Sequence, residues 1–243
     1  MTTKHFLNLR DLSNQDILNV LDRAIERKSQ KQKEKTLVGS KLGLIFEKPS
    51  TRTRISFESG ILNLGGNAIF MSSSDLQLSR GEPVSDTAKV ASSMLDVIAL
   101  RVDKHETLEM FASNSSVPVI NALSDLSHPC QILADLMTFK ENSANELEKV
   151  CWIGDGNNVC NSYVEASKIL DFELSIYCPK EYSPDPSFLN YAKQNSSFAN
   201  SREEAAKGAD IITTDVWVSM GDEKTKEKAF QGYFVDTDLI ENT

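Results

Sequence analysis

The sequence predicts an α/β fold with two doubly wound domains, each a parallel sheet with helices on both faces. Short apolar runs alternate along the chain with stretches of helical periodicity, and polar or glycine-containing turns follow the apolar runs. The polar segment 142–148 interrupts this alternation. We therefore expect a first domain over residues 1–140 and a second over 141–243.

The first domain opens with a helix whose start is marked by a capping box at Ser13–Asp16. The apolar run 42–46 predicts a buried strand, and the helical pattern 51–64 that follows it ends at two glycines. The same alternation continues to the predicted boundary. It predicts strands at 68–71, 97–102 and 117–122 and helices at 86–95, 106–114 and 129–140.

The second domain repeats the pattern. Strand 149–153 runs into the turn Gly154-Asp155-Gly156, and a helix over 159–170 follows it. The rest predicts strands at 174–178 and 210–214, with helical pieces near 186–195 and 202–207.

Composition excludes several classes of protein. The net charge of −9 disfavours a general nucleic-acid surface, and no apolar stretch has the length of a membrane span or a signal peptide core. The four cysteines show no paired or zinc-binding spacing, so we expect a reduced, cytoplasmic environment.

The segment FEKPSTRTR, residues 46–54, concentrates positive charge in an acidic protein. Its hydroxyls and its arginine at position 52 lie where a strand gives way to a helix, and a helix start presents free amide groups and a positive dipole end. We interpret Ser50–Thr53 as an anion site rather than a simple helix cap with solvated arginines.

Two further strand ends carry polar side chains. His128 and Gln131 open the helix after strand 117–122, where an imidazole could donate to a carbonyl oxygen and an amide oxygen could accept from an NH2 group. Asp215 follows strand 210–214 and could hold an ammonium group, or could act as a cap. Arg101, at the end of strand 97–102, could be a third basic group of the site or an ordinary ion-pair residue. Cys130 could be a nucleophile with His128, but neighbouring residues on a turn point in different directions, which disfavours thiol catalysis. The turn at 154–159 is half of a dinucleotide fingerprint with Val159 at the third glycine position, so we read it as a tight turn.

Taken together, the motifs FEKPSTRTRISFE, LQLSRGEPVSDTAKV, DLSHPCQILAD, IGDGNNVCNS and DVWVSMGDE resemble the carbamoyltransferase family, most closely its ornithine-using members. They follow the family's order over almost the whole chain. The resemblance implies transfer of a carbamoyl group from carbamoyl phosphate to the δ-amine of L-ornithine, giving citrulline and phosphate. It implies no cofactor or metal, no nucleic-acid or membrane partner, and a homotrimer or a multiple of trimers.

The resemblance also implies roles for individual residues. Arg52, Arg101 and His128 would be catalytic. Carbamoyl phosphate would contact Ser50, Thr51, Arg52, Thr53, Gln77, Arg101, His128 and Gln131, with Gln77 acting in an adjacent subunit. The residues that would bind ornithine are Asn158, Asp215 and, in the SMG motif, Ser219 and Met220.

The family continues into a His-Cys-Leu-Pro motif and a last helix, which the chain does not contain before it stops at Thr243. This predicts an incomplete second domain, weak or absent turnover and an intact carbamoyl phosphate half-site. The alternatives are a carbamoyltransferase acting on putrescine, acetylornithine or aspartate, a non-catalytic homologue that only binds ligand and, more remotely, a cysteine hydrolase using Cys130.

Overall fold

The computed structural model describes residues 3–30, 34–76, 81–218 and 224–243. It divides into two compact units, Met1–Cys130 and Gln131–Thr243. The division falls near the start of a helix, ten residues before the predicted domain boundary. No helix within the described ranges is long and apolar enough to cross a bilayer.

The first unit is built on a parallel sheet of four strands in the order β2-β1-β3-β4. Leu44 of the central strand β1 is in register with Phe70 on one side and Ala99 on the other. The strands are β1 Lys41–Phe46, β2 Asn67–Ser72, β3 Val97–Arg101 and β4 Val119–Leu123. The helices are α1 Asn14–Ser29, α2 Thr51–Asn63, α3 Val84–Met94, α4 His105–Asn114 and α5 Pro129–Asn142, the last reaching into the second unit.

Alternate residues of these strands pack into two separate cores. Leu44 and Ala99 lie on the face that also receives Ile61 of α2. Ile98 lies on the other face, where it packs with Phe111 of α4. Because side chains point alternately to the two faces of a sheet, this pattern requires helices on both sides.

Two predicted helix boundaries in this unit, the start of α1 and the end of α2, show the expected local interactions. Ser13 accepts a hydrogen bond from the amide of Asp16 at 3.1 Å, and the carboxylate of Asp16 accepts from the amide of Ser13 at 3.2 Å. At the end of α2, Gly65 adopts a φ of +90°, which a side chain would resist. The predicted capping box and the glycine stop are both confirmed.

The second unit has a parallel sheet in the order β7-β6-β5-β8. The predicted α/β class with two parallel sheets is therefore confirmed. The strands are β5 Lys149–Ile153, β6 Glu173–Tyr177, β7 Ser196–Phe198 and β8 Ile211–Thr213. The helices are α6 Asn158–Leu170, α7 Pro186–Tyr191, α8 Arg202–Ala206 and α9 Thr237–Glu241, and a 3-10 helix covers Lys224–Phe230.

This second sheet is also covered on both faces. Cys151 and Ile153 of β5 pack against Ala205 of α8. The intervening Trp152 is fully buried on the opposite face and meets the ring of Tyr163 of α6, with ring centroids 5.8 Å apart. The sheet thus holds the turns that follow β5 and β8 at one edge, since parallel strands end together.

Candidate active site

The turn between β1 and α2 is an ordered helix start. Ser50 has extended backbone angles, with φ −155° and ψ 114°, and its hydroxyl accepts a hydrogen bond from the amide of Thr53 at 3.4 Å. Ser50 is therefore the N-cap of α2. The remaining amides of the first turn have no partner inside the helix, so the turn keeps donors for a bound anion.

The two arginines of this turn differ in their surroundings. Arg54 donates to the carboxylate of Glu58 at 2.8 Å, and its guanidinium lies 3.6 Å from the centre of the Phe70 ring. Arg52 is exposed, and it forms neither a hydrogen bond nor an ion pair with another described residue. Of these two arginines, Arg52 is therefore the one whose charge is available at the helix start.

Arg101, at the end of β3, reaches the same turn. Its Nη1 lies 3.4 Å from the hydroxyl of Thr53, and its Nε is buried without a hydrogen-bond partner among the described residues. Burial, and then repulsion by the charge of Arg52, lower the pKa of Arg101. Two guanidinium groups thus lie close together, and neither forms an ion pair with a carboxylate of the described chain, which is the electrostatic condition for an anion site.

His128 stands on a loop that buried polar groups hold in place. The amide of Ser124 donates to the carbonyl of Ser127 at 3.0 Å, and the side chain of Asn121 donates to the same carbonyl at 3.3 Å. None of these three supporting residues was among the predicted site residues. They fix the loop that delivers His128, which is half-buried, to the start of α5.

Cys130 follows His128 closely but is a poor nucleophile. Burial raises the pKa of its thiol to about 12, and its sulfur lies 3.4 Å from the carbonyl of Asn121. A thiol must ionise to attack a carbonyl carbon. The geometry therefore disfavours the cysteine hydrolase alternative.

Gln131 lies in the first turn of α5 and is exposed. Its Nε2 donates to Oδ1 of Asp135, one helical turn further on, at 2.9 Å. The second oxygen of Asp135 accepts from the hydroxyl of Tyr163 at 2.9 Å. Gln131 was a predicted site residue, whereas Asp135 and Tyr163 were not.

The turn after β5 depends on its glycines. Gly154 has a φ of +129°. A Cβ on Gly156 would lie 2.5 Å from the carbonyl oxygen of Tyr182 and would also collide with the backbone nitrogen of Pro184. The two glycines therefore serve a tight strand-to-helix turn, as predicted, and no third glycine follows.

The asparagines of this turn lie beside Asp215. Asn157 caps α6 by accepting from the amides of Val159 and Cys160, and its Nδ2 donates to Oδ2 of Asp215 at 2.9 Å. Asn158 is the first residue of α6. Asp215 also accepts from the amide of Val216 at 2.8 Å. The turn after β5 and the loop after β8 are thus joined through an amide and a carboxylate, and Asn157 is an addition to the predicted set.

Asp155, between the two glycines, forms a buried ion pair. Its carboxylate lies 2.6 Å from Nζ of Lys226, and the two side chains are 6% and 16% exposed. Lys226 also lies over the ring of Tyr182, 5.1 Å from its centre. This pair connects the turn after β5 to the segment that follows the SMG motif.

Three predicted site residues, Gln77, Ser219 and Met220, lie outside the described residues. The other nine fall into two groups. Ser50, Thr51, Arg52, Thr53, Arg101 and His128 belong to the first unit, and Gln131, Asn158 and Asp215 belong to the second.

Comparison with known families matches both halves of the chain. Residues 4–141 match the carbamoyl-P binding domain of aspartate/ornithine carbamoyltransferase, and residues 147–243 match the Asp/Orn binding domain of the same family.

Individual proteins agree with this match. The chain is 51% identical to an ornithine carbamoyltransferase of Acinetobacter baumannii (strain AYE), over 99% of this chain and 81% of the relative. The crystal structure of an anabolic ornithine carbamoyltransferase from Campylobacter jejuni superposes with a TM-score of 0.93 at 45% identity, covering 99% of this chain and 83% of that one. The enzyme of Pyrococcus furiosus gives 0.92 at 39% identity, covering 99% and 82%. With both halves matched at this similarity, the chain belongs to the aspartate/ornithine carbamoyltransferase family.

Proposed function

We propose that this protein transfers the carbamoyl group of carbamoyl phosphate to the δ-amine of L-ornithine, giving L-citrulline and phosphate. The observation that carries the proposal is the meeting of Arg52, Arg101 and Thr53 at the start of α2, without a neutralising carboxylate among the described residues. The names of its relatives support the choice of both substrates. Because the Campylobacter jejuni enzyme is described as anabolic, we assign the reaction to arginine biosynthesis.

The phosphoryl group binds at the start of α2. Ser50, Thr51 and Thr53 supply hydroxyl and amide donors, the helix dipole favours a negative charge, and Arg52 adds a charged forked donor. Gln77 also contacts carbamoyl phosphate, from an adjacent subunit. Like-charge repulsion between Arg52 and Arg101 is relieved when the dianion arrives, so part of the binding free energy comes from this relief.

The carbonyl oxygen is the second recognition point. The uncharged δ-amine attacks the carbonyl carbon, a C–N bond forms, and the carbonyl oxygen takes on negative charge. Arg52, Arg101 and His128 stabilise that charge. The C–O bond to phosphate then breaks, phosphate leaves with the electron pair into the site that already holds it, and the nitrogen loses a proton.

The amino acid end of ornithine is held by the second unit. Asp215 binds the α-ammonium group, with Asn157 fixing one of its carboxylate oxygens. Asn158, Ser219 and Met220 complete the ornithine site. We accordingly assign residues 1–140 to carbamoyl phosphate and residues 141–243 to ornithine.

A homotrimer is the proposed assembly, in the cytoplasm. Ile55 and Leu62 of α2 and Ile69 of the edge strand β2 are exposed apolar side chains on the first unit, and such surfaces often mark subunit contacts. Sedimentation equilibrium is expected to give three times the mass of one chain, or a multiple of that value. A stable monomer at micromolar concentration would exclude the trimer.

A panel of amine acceptors tests the reaction. With carbamoyl phosphate as donor, we expect citrulline formation from ornithine to exceed the carbamoylation of putrescine, acetylornithine and aspartate. Only ornithine in this panel combines a free terminal amine with an α-ammonium group for Asp215 and a carboxylate, which putrescine lacks. A higher rate with another acceptor would assign a different second substrate. Binding of carbamoyl phosphate without product from any acceptor would favour the non-catalytic alternative and contradict the proposal.

A further inference from the structure

Asp135 of α5 receives two hydrogen bonds from side chains on different helices. Its Oδ1 accepts from Nε2 of Gln131 at 2.9 Å, and its Oδ2 accepts from the hydroxyl of Tyr163 at 2.9 Å. Tyr163 is fully buried and packs against the ring of Trp152. The buried tyrosine thus adds a hydrogen bond to one carboxylate oxygen, while the other oxygen holds Gln131 directly.

The chemistry of the carboxylate decides which end of the Gln131 amide it holds. An ionised carboxylate only accepts hydrogen bonds, whereas a primary amide has one accepting and one donating end. The NH2 group of Gln131 must therefore face Asp135. Its Oε1 is then directed elsewhere, as an acceptor available to a ligand.

The charge of Asp135 is stabilised by these two hydrogen bonds and by no cation of the described chain. It is half-buried, and none of the described residues forms an ion pair with it. Burial is the main cause that raises its pKa, the hydrogen bonds from Gln131 and Tyr163 lower it in part, and the nearby Asp215 raises it further. Burying a carboxylate without a cation costs stability, and an asparagine of the same shape would avoid that cost. An aspartate is needed at this position if its role requires a group that only accepts hydrogen bonds.

We propose that Asp135 is a positioning residue that makes the site selective for a carbamoyl group. By holding the amide of Gln131 in one orientation, it presents Oε1 to the NH2 of carbamoyl phosphate. An acyl phosphate with a methyl group in place of that NH2 leaves this acceptor unmatched and binds less well. The inference rests on the proposed binding of carbamoyl phosphate.

Calorimetric titration with three probes tests the proposal. Carbamoyl phosphate and acetyl phosphate differ in NH2 against CH3, and inorganic phosphate lacks the acyl group altogether. The new amide in Asp135→Asn can donate to Oε1 of Gln131, so the Gln131 amide can turn around. In this variant the preference for carbamoyl over acetyl phosphate is expected to fall about three- to tenfold. The affinity for inorganic phosphate is expected to stay at the wild-type value.

Tyr163→Phe is the matched control, because it removes the other hydrogen bond to Asp135 and leaves the acceptor in place. It is expected to keep most of the preference. An unchanged preference in Asp135→Asn, or an equal loss for all three probes, would overturn the proposal.

Gln131→Met provides a second route if Asp135→Asn does not fold, since Gln131 is exposed. This variant is expected to lose the preference to the same extent, and a retained preference would also overturn the proposal. A wild-type chain that bound none of the probes would instead contradict the proposed function.

Discussion

Arg52→Ala is expected to lower the rate of citrulline formation by roughly 10²- to 10³-fold, equivalent to about 2.7–4 kcal/mol of transition-state stabilisation. Arg52 is the exposed cation at the start of α2, and its charge is near enough to Arg101 to lower the pKa of that group. In the proposed mechanism it serves both the leaving phosphate and the oxyanion. Its removal should therefore weaken carbamoyl phosphate binding as well, which calorimetry measures.

Arg54→Ala is the control for this loss. Arg54 lies in the same turn and carries the same charge, but Glu58 and the Phe70 ring already engage it. Its rate and its affinity for carbamoyl phosphate should stay within a few-fold of the wild type. If the two variants lost activity equally, the effect would come from net charge or helix stability, and the assignment of Arg52 would be wrong.

Lys226→Met is expected to lower the free energy of unfolding by about 3–5 kcal/mol, because it leaves the carboxylate of Asp155 buried without its cation. The ion pair joins the turn after β5 to the 3-10 helix Lys224–Phe230. Phe230 of that helix is fully buried and stacks near Trp217, at a centroid distance of 6.1 Å. Urea unfolding followed by circular dichroism measures the change.

Two further variants separate the ion pair from general effects of the substitution. Lys228→Met removes an exposed lysine of the same helix, and we expect a change within about 0.5 kcal/mol. Adding Asp155→Asn to Lys226→Met removes the stranded charge and should restore part of the stability. If both lysine substitutions lowered the free energy of unfolding equally, the Asp155–Lys226 ion pair would not be the cause of the loss.

The fold could be predicted from sequence wherever local chemistry sets an element. Strand β5 lies at the predicted residues, and the helix α6 begins one residue early because Asn157 caps it. Strand β7 was missed and the helical piece at 186–195 was predicted too long. The short segment Ser196–Phe198 is extended because it pairs with β6 at the sheet edge. Its residues do not form an apolar run, so no sequence pattern predicts this strand.

The site was predictable to a similar degree. Strand ends reveal which polar residues gather at one edge of a sheet, so Arg101 could be placed near the turn at Thr53. Partners distant along the chain could not be found in this way. Asp155 and Lys226 are separated by 71 positions, and Asp135 and Tyr163 by 28. No local pattern connects such pairs, because tertiary packing alone brings them together.

The proposed mechanism depends on the helix start at Ser50–Thr53 binding the phosphoryl group of carbamoyl phosphate. A crystal structure of the chain with carbamoyl phosphate at millimolar concentration would locate that group. We expect phosphoryl oxygens within hydrogen-bonding distance of Arg52 and the amides of that turn, and the carbonyl oxygen next to Arg101 and His128. A ligand bound elsewhere, or a turn that remains without ligand at saturation, would show that this helix start is not the phosphate site.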